Sequence, residues 1–391
     1  MKSYMKAAIS VIALAEMANA MEHPSLTATH DFEVKWSDAA EKKENAYRTH
    51  MEKEQYDVID HGRRPVIGVL TEPLRGEMYT PSGSQFKEDE LVETSSASFV
   101  SKAHVQFLEQ AGIRVVPIDY RLSLEERREI LDNVNGVYLP GDSHNTITDK
   151  AYKAAFAQTL AYVENATFED KMHFPMFLMG NSLTTLVRAR QASANHLTDM
   201  GKHRFTSSRI DMIGHPDQYF LFNGLDREEK QALFNTGKMF NMQVSGVTAN
   251  DIETDRQLSK LLQPIATFTS HGVDEEVHQF IAIAEGIKLP LYAFTYGIEM
   301  VQFYHEDPDA YTGSADSVNI DHSIVARHHA QEIASLIADE ARMCDHYYSE
   351  PENIFNSLIR HEKLVSISYE SPMGNNPMPK GMNEYDIYLL Q

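Results

Sequence analysis

The stretch His173-Phe-Pro-Met-Phe-Leu-Met-Gly-Asn-Ser-Leu-Thr-Thr-Leu186 decides how the chain is read. Pro175 opens a short apolar run, Gly180-Asn181 supplies a tight turn, and Leu183 and Leu186 then fall on one face of a helix. A strand, a sharp turn and a helix in that order is the local architecture that presents a nucleophile above a parallel sheet. The residue due at the turn is Gly180, which has no side chain with which to attack.

Outward from this segment, strand-like runs alternate with helical patterns. The runs cover residues 65–70, 114–118, 136–139, 176–179 and 291–296. Such alternation predicts an α/β fold, a flavodoxin-like three-layer α/β/α sandwich with a mainly parallel central sheet. In that arrangement the site lies at the carboxyl ends of the strands, where Gly141, Gly180 and Gly297 would converge. An apolar share of 42 % is ample for one large core.

The ordered pieces carry a family resemblance. They are Arg64-Pro-Val-Ile-Gly-Val-Leu70, the segment 97–117, Asn135-Gly-Val-Tyr-Leu-Pro-Gly-Asp142, the turn segment itself, Ile281-Ala-Ile-Ala-Glu-Gly286, Leu289-Pro-Leu-Tyr-Ala-Phe-Thr-Tyr-Gly-Ile-Glu299 and Glu340-Ala-Arg342. From Arg64 to about Tyr348 the chain resembles the gamma-glutamyl hydrolases, thiol hydrolases of the class I glutamine amidotransferase type. Carried over position by position, the resemblance implies a degenerate site. The nucleophilic Cys falls on Gly180, the general-base His on Gly297 and a further functional His on Asn241. The orienting Glu survives as Glu299. The oxyanion segment reads Pro140-Gly141-Asp142, which puts a carboxylate beside the donor meant for an oxyanion. A thiolate mechanism needs thiol, imidazole and orienting group together, so the implied protein is catalytically inactive. Its remaining role would be in binding or assembly, with a gamma-glutamyl or folate-like ligand. The alternative is an active hydrolase that cleaves folyl-poly-gamma-glutamate or related gamma-glutamyl compounds.

Two substitutes for the missing thiol can be weighed. A two-residue slip would make Ser182 the nucleophile, with His144, just after the Pro140-Gly141-Asp142 turn, as the only histidine near a matched site motif that could substitute; the simpler reading makes Ser182 a first-turn helix residue. Cys344, the single cysteine, lies in a late helix and reads as an idle buried thiol. His328-His329 reads as a solvent-facing pair. No metal-ligand spacing and no phosphate loop stands out, so neither a metal nor a cofactor is expected.

Residues 1–20 resemble a signal leader: Lys2 and Lys6 precede an apolar run, and Ala18-Asn-Ala20 is a cleavage candidate. With the sequon Asn165-Ala-Thr167, placed in a loop after a helix over 151–163, this predicts a glycosylated protein of the secretory route, extracellular or in a vacuole or lysosome. Residues 21–63 form a charged extension with Trp36 as its anchor, residues 64–350 the hydrolase-like domain, and residues 351–391 a C-terminal extension. That extension's Tyr385–Leu390 run would dock on the body or on a partner, giving a homo-oligomer or a larger complex. No apolar run reaches the ~18 residues that span a bilayer. A net charge of −22 opposes nucleic acid and anionic surfaces, and also a polyanionic substrate unless a local basic pocket intervenes.

Overall fold

The computed structural model describes residues 64–74, 78–79, 97–142, 145–190, 197–200, 206–222, 238–241, 243, 245–271, 276–303, 320–348, 351–369 and 384–390. All lie within a unit spanning Asp60–Gln391. The leader, the charged extension with Trp36, His144 and the loop at 371–380 lie outside the described residues.

The strands in chain order are β1 (Val66–Leu70), β2 (Glu72–Pro73), β3 (Met78–Tyr79), β4 (Ser98–Ser101), β5 (Arg114–Ile118), β6 (Val137–Leu139), β7 (Met176–Met179) and β8 (Thr198–Asp199). They continue with β9 (Thr206–Met212), β10 (Lys238–Asn241), β11 (Ser245–Gly246), β12 (Leu262–His271), β13 (Val277–Gly286), β14 (Leu291–Phe294), β15 (Lys363–Tyr369) and β16 (Glu384–Leu390). The main helices are α1 (Lys102–Glu109), α2 (Leu124–Leu131), α3 (Lys150–Phe168), α4 (Ser182–Ala189) and α5 (Ile324–Arg342).

Nine strands form one sheet in the order β10-β9-β12-β13-β14-β7-β6-β1-β5. From β5 to β14 the neighbours are parallel, as the buried apolar runs predict. From β14 to β10 they are antiparallel, an extension that the run-and-helix alternation did not announce. Successive strand residues point to opposite faces, and the core divides accordingly. Ile67, Val69, Phe177, Met179, Tyr292 and Phe294 join one apolar cluster with α1 and α5. Val66, Leu70, Met176, Leu178, Leu291 and Ala293 join the other with α2, α3 and α4. The result is the α/β/α sandwich.

A second sheet runs β2-β4-β16-β15-β3. Its strand β16 lies antiparallel to β4, with Ile387 opposite Ser101 and Leu389 opposite Phe99. Leu74, Ala97, Phe99, Ile387 and Leu389 make a small core of their own. The C-terminal segment is therefore no appendage: its last strand docks on the body, the first of the two alternatives.

Two local expectations are corrected. The helix expected over 151–163 continues to Phe168 because Val163 and Ala166 keep an apolar face buried, so Asn165 sits exposed on a helix rather than in a loop. In the His328-His329 pair only His328 is exposed. His329 is buried and its Nε2 lies 2.8 Å from the Tyr296 hydroxyl.

Candidate functional site

The turn after β7 is shaped as the sequence suggests. Gly180 takes φ +49°, the left-handed region that side chains with a Cβ avoid. Its N–H donates to the Phe294 carbonyl at 2.9 Å, which ties the turn to the end of β14. Beside it, Asn181 donates to the Gly141 carbonyl through its backbone N–H at 3.1 Å and its side-chain amide at 2.7 Å. A Cβ on Gly141 would be driven into the Met179 carbonyl and the Asn181 nitrogen, so the two loops can approach this closely only with glycine at that position. Gly297 donates to the Phe240 carbonyl at 2.8 Å, and Asn241 follows directly. Gln243 spans the gap, its amide donating to the carbonyls of Thr295 at 2.9 Å and Gly180 at 3.3 Å. Gly141, Gly180, Gly297 and Asn241 therefore gather around the carboxyl ends of β6, β7 and β14.

Ser182 and Cys344 are poorly placed to replace the thiol. Ser182 is fully buried and its hydroxyl donates to the Pro140 carbonyl at 2.6 Å. Cys344 is buried, and its carbonyl accepts from Asn135 at 3.2 Å. The Asn135 side chain also accepts from Val66 N–H, at the start of β1, so Cys344 lies toward the amino ends of the parallel strands.

The main side chain at the cleft is one that the sequence reading missed. His104, in the first turn of α1, is 1 % exposed. Its Nε2 lies 2.9 Å from Asp142 Oδ1, its Nδ1 2.7 Å from the Tyr138 hydroxyl and 3.8 Å from Glu299 Oε2. Burial alone would push the imidazolium pKa down, but Asp142 and Glu299 outweigh it, with a smaller contribution from Glu72, and bring it up to about 9. Burial likewise raises the Glu299 pKa, against the opposing pull of His104. Tyr138 is held well above its usual range by burial and then by Glu299 and Asp142, and stays a neutral hydroxyl. The centre is thus an imidazole enclosed by carboxylates, with Asp142 as its partly exposed member.

His104, Asp142 and Glu299, drawn from three separate segments, can bring one ligand atom each within 4.8 Å of one another. Unspent hydrogen-bonding capacity surrounds the cleft: Asn181 Oδ1, Asn241 Nδ2, Gln243 Oε1 and Glu299 Oε2 are buried and make no hydrogen bond to described residues. Buried polar atoms in that condition are uncommon and call for a physical reason.

Comparison with known proteins returns gamma-glutamyl hydrolases. The chain is 24 % identical over 295 residues to gamma-glutamyl hydrolase B of Dictyostelium discoideum, covering 75 % of this chain and 77 % of that one. It is 25 % identical over 308 residues to the gamma-glutamyl hydrolase of Mus musculus, with 77 % and 85 % covered. To gamma-glutamyl hydrolase 1 of Arabidopsis thaliana it is 22 % identical over 313 residues, with 78 % and 80 % covered. No family model matches the chain. Among solved structures it is similar to a candidate GMP synthase component from Thermoplasma acidophilum, at 10 % identity over 71 % of this chain and 96 % of that one, with a TM-score of 0.40; a score that low bears on nothing further. The resemblance read between Arg64 and Tyr348 is a resemblance to the gamma-glutamyl hydrolases over three quarters of the chain.

Proposed function

We propose that this chain is a gamma-glutamyl hydrolase-like protein that has lost thiol hydrolysis and is retained for binding or assembly. The observation that carries the reading is Gly180 at the turn, in a left-handed conformation, with the one cysteine buried toward the other end of the strands. The relatives' names favour a second reading, an active hydrolase of gamma-glutamyl bonds. Against it, the described residues around the turn offer no free nucleophile, since the Ser182 hydroxyl is turned into the Pro140 carbonyl.

Binding is supported by the four buried atoms with unspent hydrogen-bonding capacity, and the ligand class we propose is a gamma-glutamyl or folate-like compound. The carboxylates of Asp142 and Glu299 disfavour a long polyanionic tail in this cleft. The leader-like residues 1–20 favour the secretory route, to the extracellular space or a vacuole or lysosome, and the net charge of −22 disfavours nucleic acid. Among the described residues, no helix is long and apolar enough to cross a membrane.

The test is hydrolysis of a gamma-glutamyl oligomer by the purified chain, followed by mass spectrometry. No turnover above the uncatalysed reaction is expected. Turnover that Ser182→Ala abolishes would establish the second reading, and turnover indifferent to that change would place a nucleophile elsewhere in the chain.

A further inference from the structure

We propose that His104, Asp142 and Glu299 form a binding site for a divalent metal ion at the carboxyl ends of the parallel strands. A nitrogen of His104 and an oxygen from each carboxylate lie within 4.8 Å of one another. Two ligands on opposite sides of a cation bonded at about 2.0–2.4 Å stand about 4.0–4.8 Å apart, so the three donors already have the spacing of a coordination sphere.

Glu299 supplies the independent observation. It is 1 % exposed, its Oε2 accepts no hydrogen bond from the described residues, and that atom lies 3.8 Å from His104 Nδ1. A carboxylate oxygen left in that state is costly, and a cation shared by the three donors would satisfy it. The charge agrees. Asp142 and Glu299 together carry two negative charges with a neutral imidazole, which a dication balances; without the ion only the imidazolium opposes them.

One nitrogen and two carboxylate oxygens suit ions of intermediate hardness such as Zn2+, Mn2+ or Fe2+ rather than Ca2+, which takes oxygen alone. Tyr138 is the outer partner, its hydroxyl 2.7 Å from His104 Nδ1, placed to hold the ring's orientation when Nε2 coordinates. Asp142 is 12 % exposed and Gly180 is partly exposed, so the ion enters beside the glycine turn. There its remaining coordination positions would face any ligand of the cleft. The site stands on these residues alone, whether or not the cleft hydrolyses anything.

The test uses the full chain, stripped with chelator and titrated calorimetrically with Zn2+ and, separately, Mn2+ at mildly alkaline pH. One ion per chain is expected. Glu299→Gln and Asp142→Asn should each weaken binding by at least about tenfold, His104→Ala should abolish it, and His328→Ala, at an exposed histidine on α5, should leave it unchanged. Circular dichroism checks that each variant folds. Asp142→Asn, at the least buried position, keeps the test alive if the others do not. Failure of the wild-type chain to take up either ion overturns the proposal, as does uptake that the three site substitutions leave undiminished.

Discussion

The Nε2 of His104 lies 2.9 Å from Oδ1 of Asp142, joining the first turn of a helix on one face of the sheet to the loop that follows β6. The contact places a charge pair where the family resemblance would put an oxyanion-binding loop.

It also makes stability depend on pH. The His104 pKa is raised from 6.5 to about 9, so its contribution is complete below pH 6.5 and is lost as pH rises through 9. The Glu299 pKa is raised from 4.5 to about 7, which favours the folded state below 4.5 and is lost as pH rises through 7. Both effects have the same sign. The melting temperature of chelator-treated protein should fall between pH 6 and pH 9. His104→Asn should flatten that fall. Equal stability of the wild-type protein at the two pH values would contradict the assignment.

The two glycines of the cleft should respond differently to substitution. At Gly141 a Cβ meets backbone atoms of residues 179 and 181, which cannot give way without moving both loops, so Gly141→Ala should cost more than about 3 kcal/mol or prevent folding. At Gly180 the nearest atom is the Gly141 carbonyl oxygen at 2.9 Å. That is still a clash with backbone and comes on top of the left-handed φ, so Gly180→Ala should also lose stability, though less than Gly141→Ala. Denaturant melts of the pair measure the contrast, and equal losses would refute it.

Restoring hydrolysis should need two changes. Gly180→Cys provides a thiol and Gly297→His a base, and either alone leaves the proton without a path. Only the double variant, with Glu299 in place, is expected to release glutamate from a gamma-glutamyl substrate above background. Activity in Gly180→Cys alone would mean that an existing imidazole, with His104 the first to examine, already serves as base.

Removing residues 384–390 should disrupt more than the terminus. Ile387 and Leu389 are buried and β16 is hydrogen-bonded between β4 and β15. Its loss uncovers Phe99 and Leu74 and leaves both neighbouring strands with open edges. Truncation before Glu384 should give insoluble protein or a loss of at least about 3 kcal/mol; a soluble chain with unchanged melting temperature would show that the second sheet is dispensable.

Most of the parallel strands were legible because they are buried on both faces and so read as apolar runs, Met176–Met179 above all; the edge strand β5 keeps Arg114 and Pro117 half-buried. The antiparallel extension was harder to see: β9 carries Thr206, Ser207, Ser208 and Arg209 and has no such run. The turn at Gly180 was legible from its glycine and its flanks. His104 was not, because it lies in a helix matched for its packing and its partners come from loops about 38 and 195 residues further on. One signal was available. Ala103, Val105, Phe107 and Leu108 are all buried, and a histidine among them has to find polar partners inside the protein.

The pairing of β4 with β16 also ties distant parts of the chain together. Strand β4 runs directly into α1, the helix that carries His104, and it is held between β2 and β16, with Ile387 opposite Ser101. The start of the histidine's helix is thus braced by a contact of long sequence separation, the kind whose loop-closure entropy must be met before the contact rewards it.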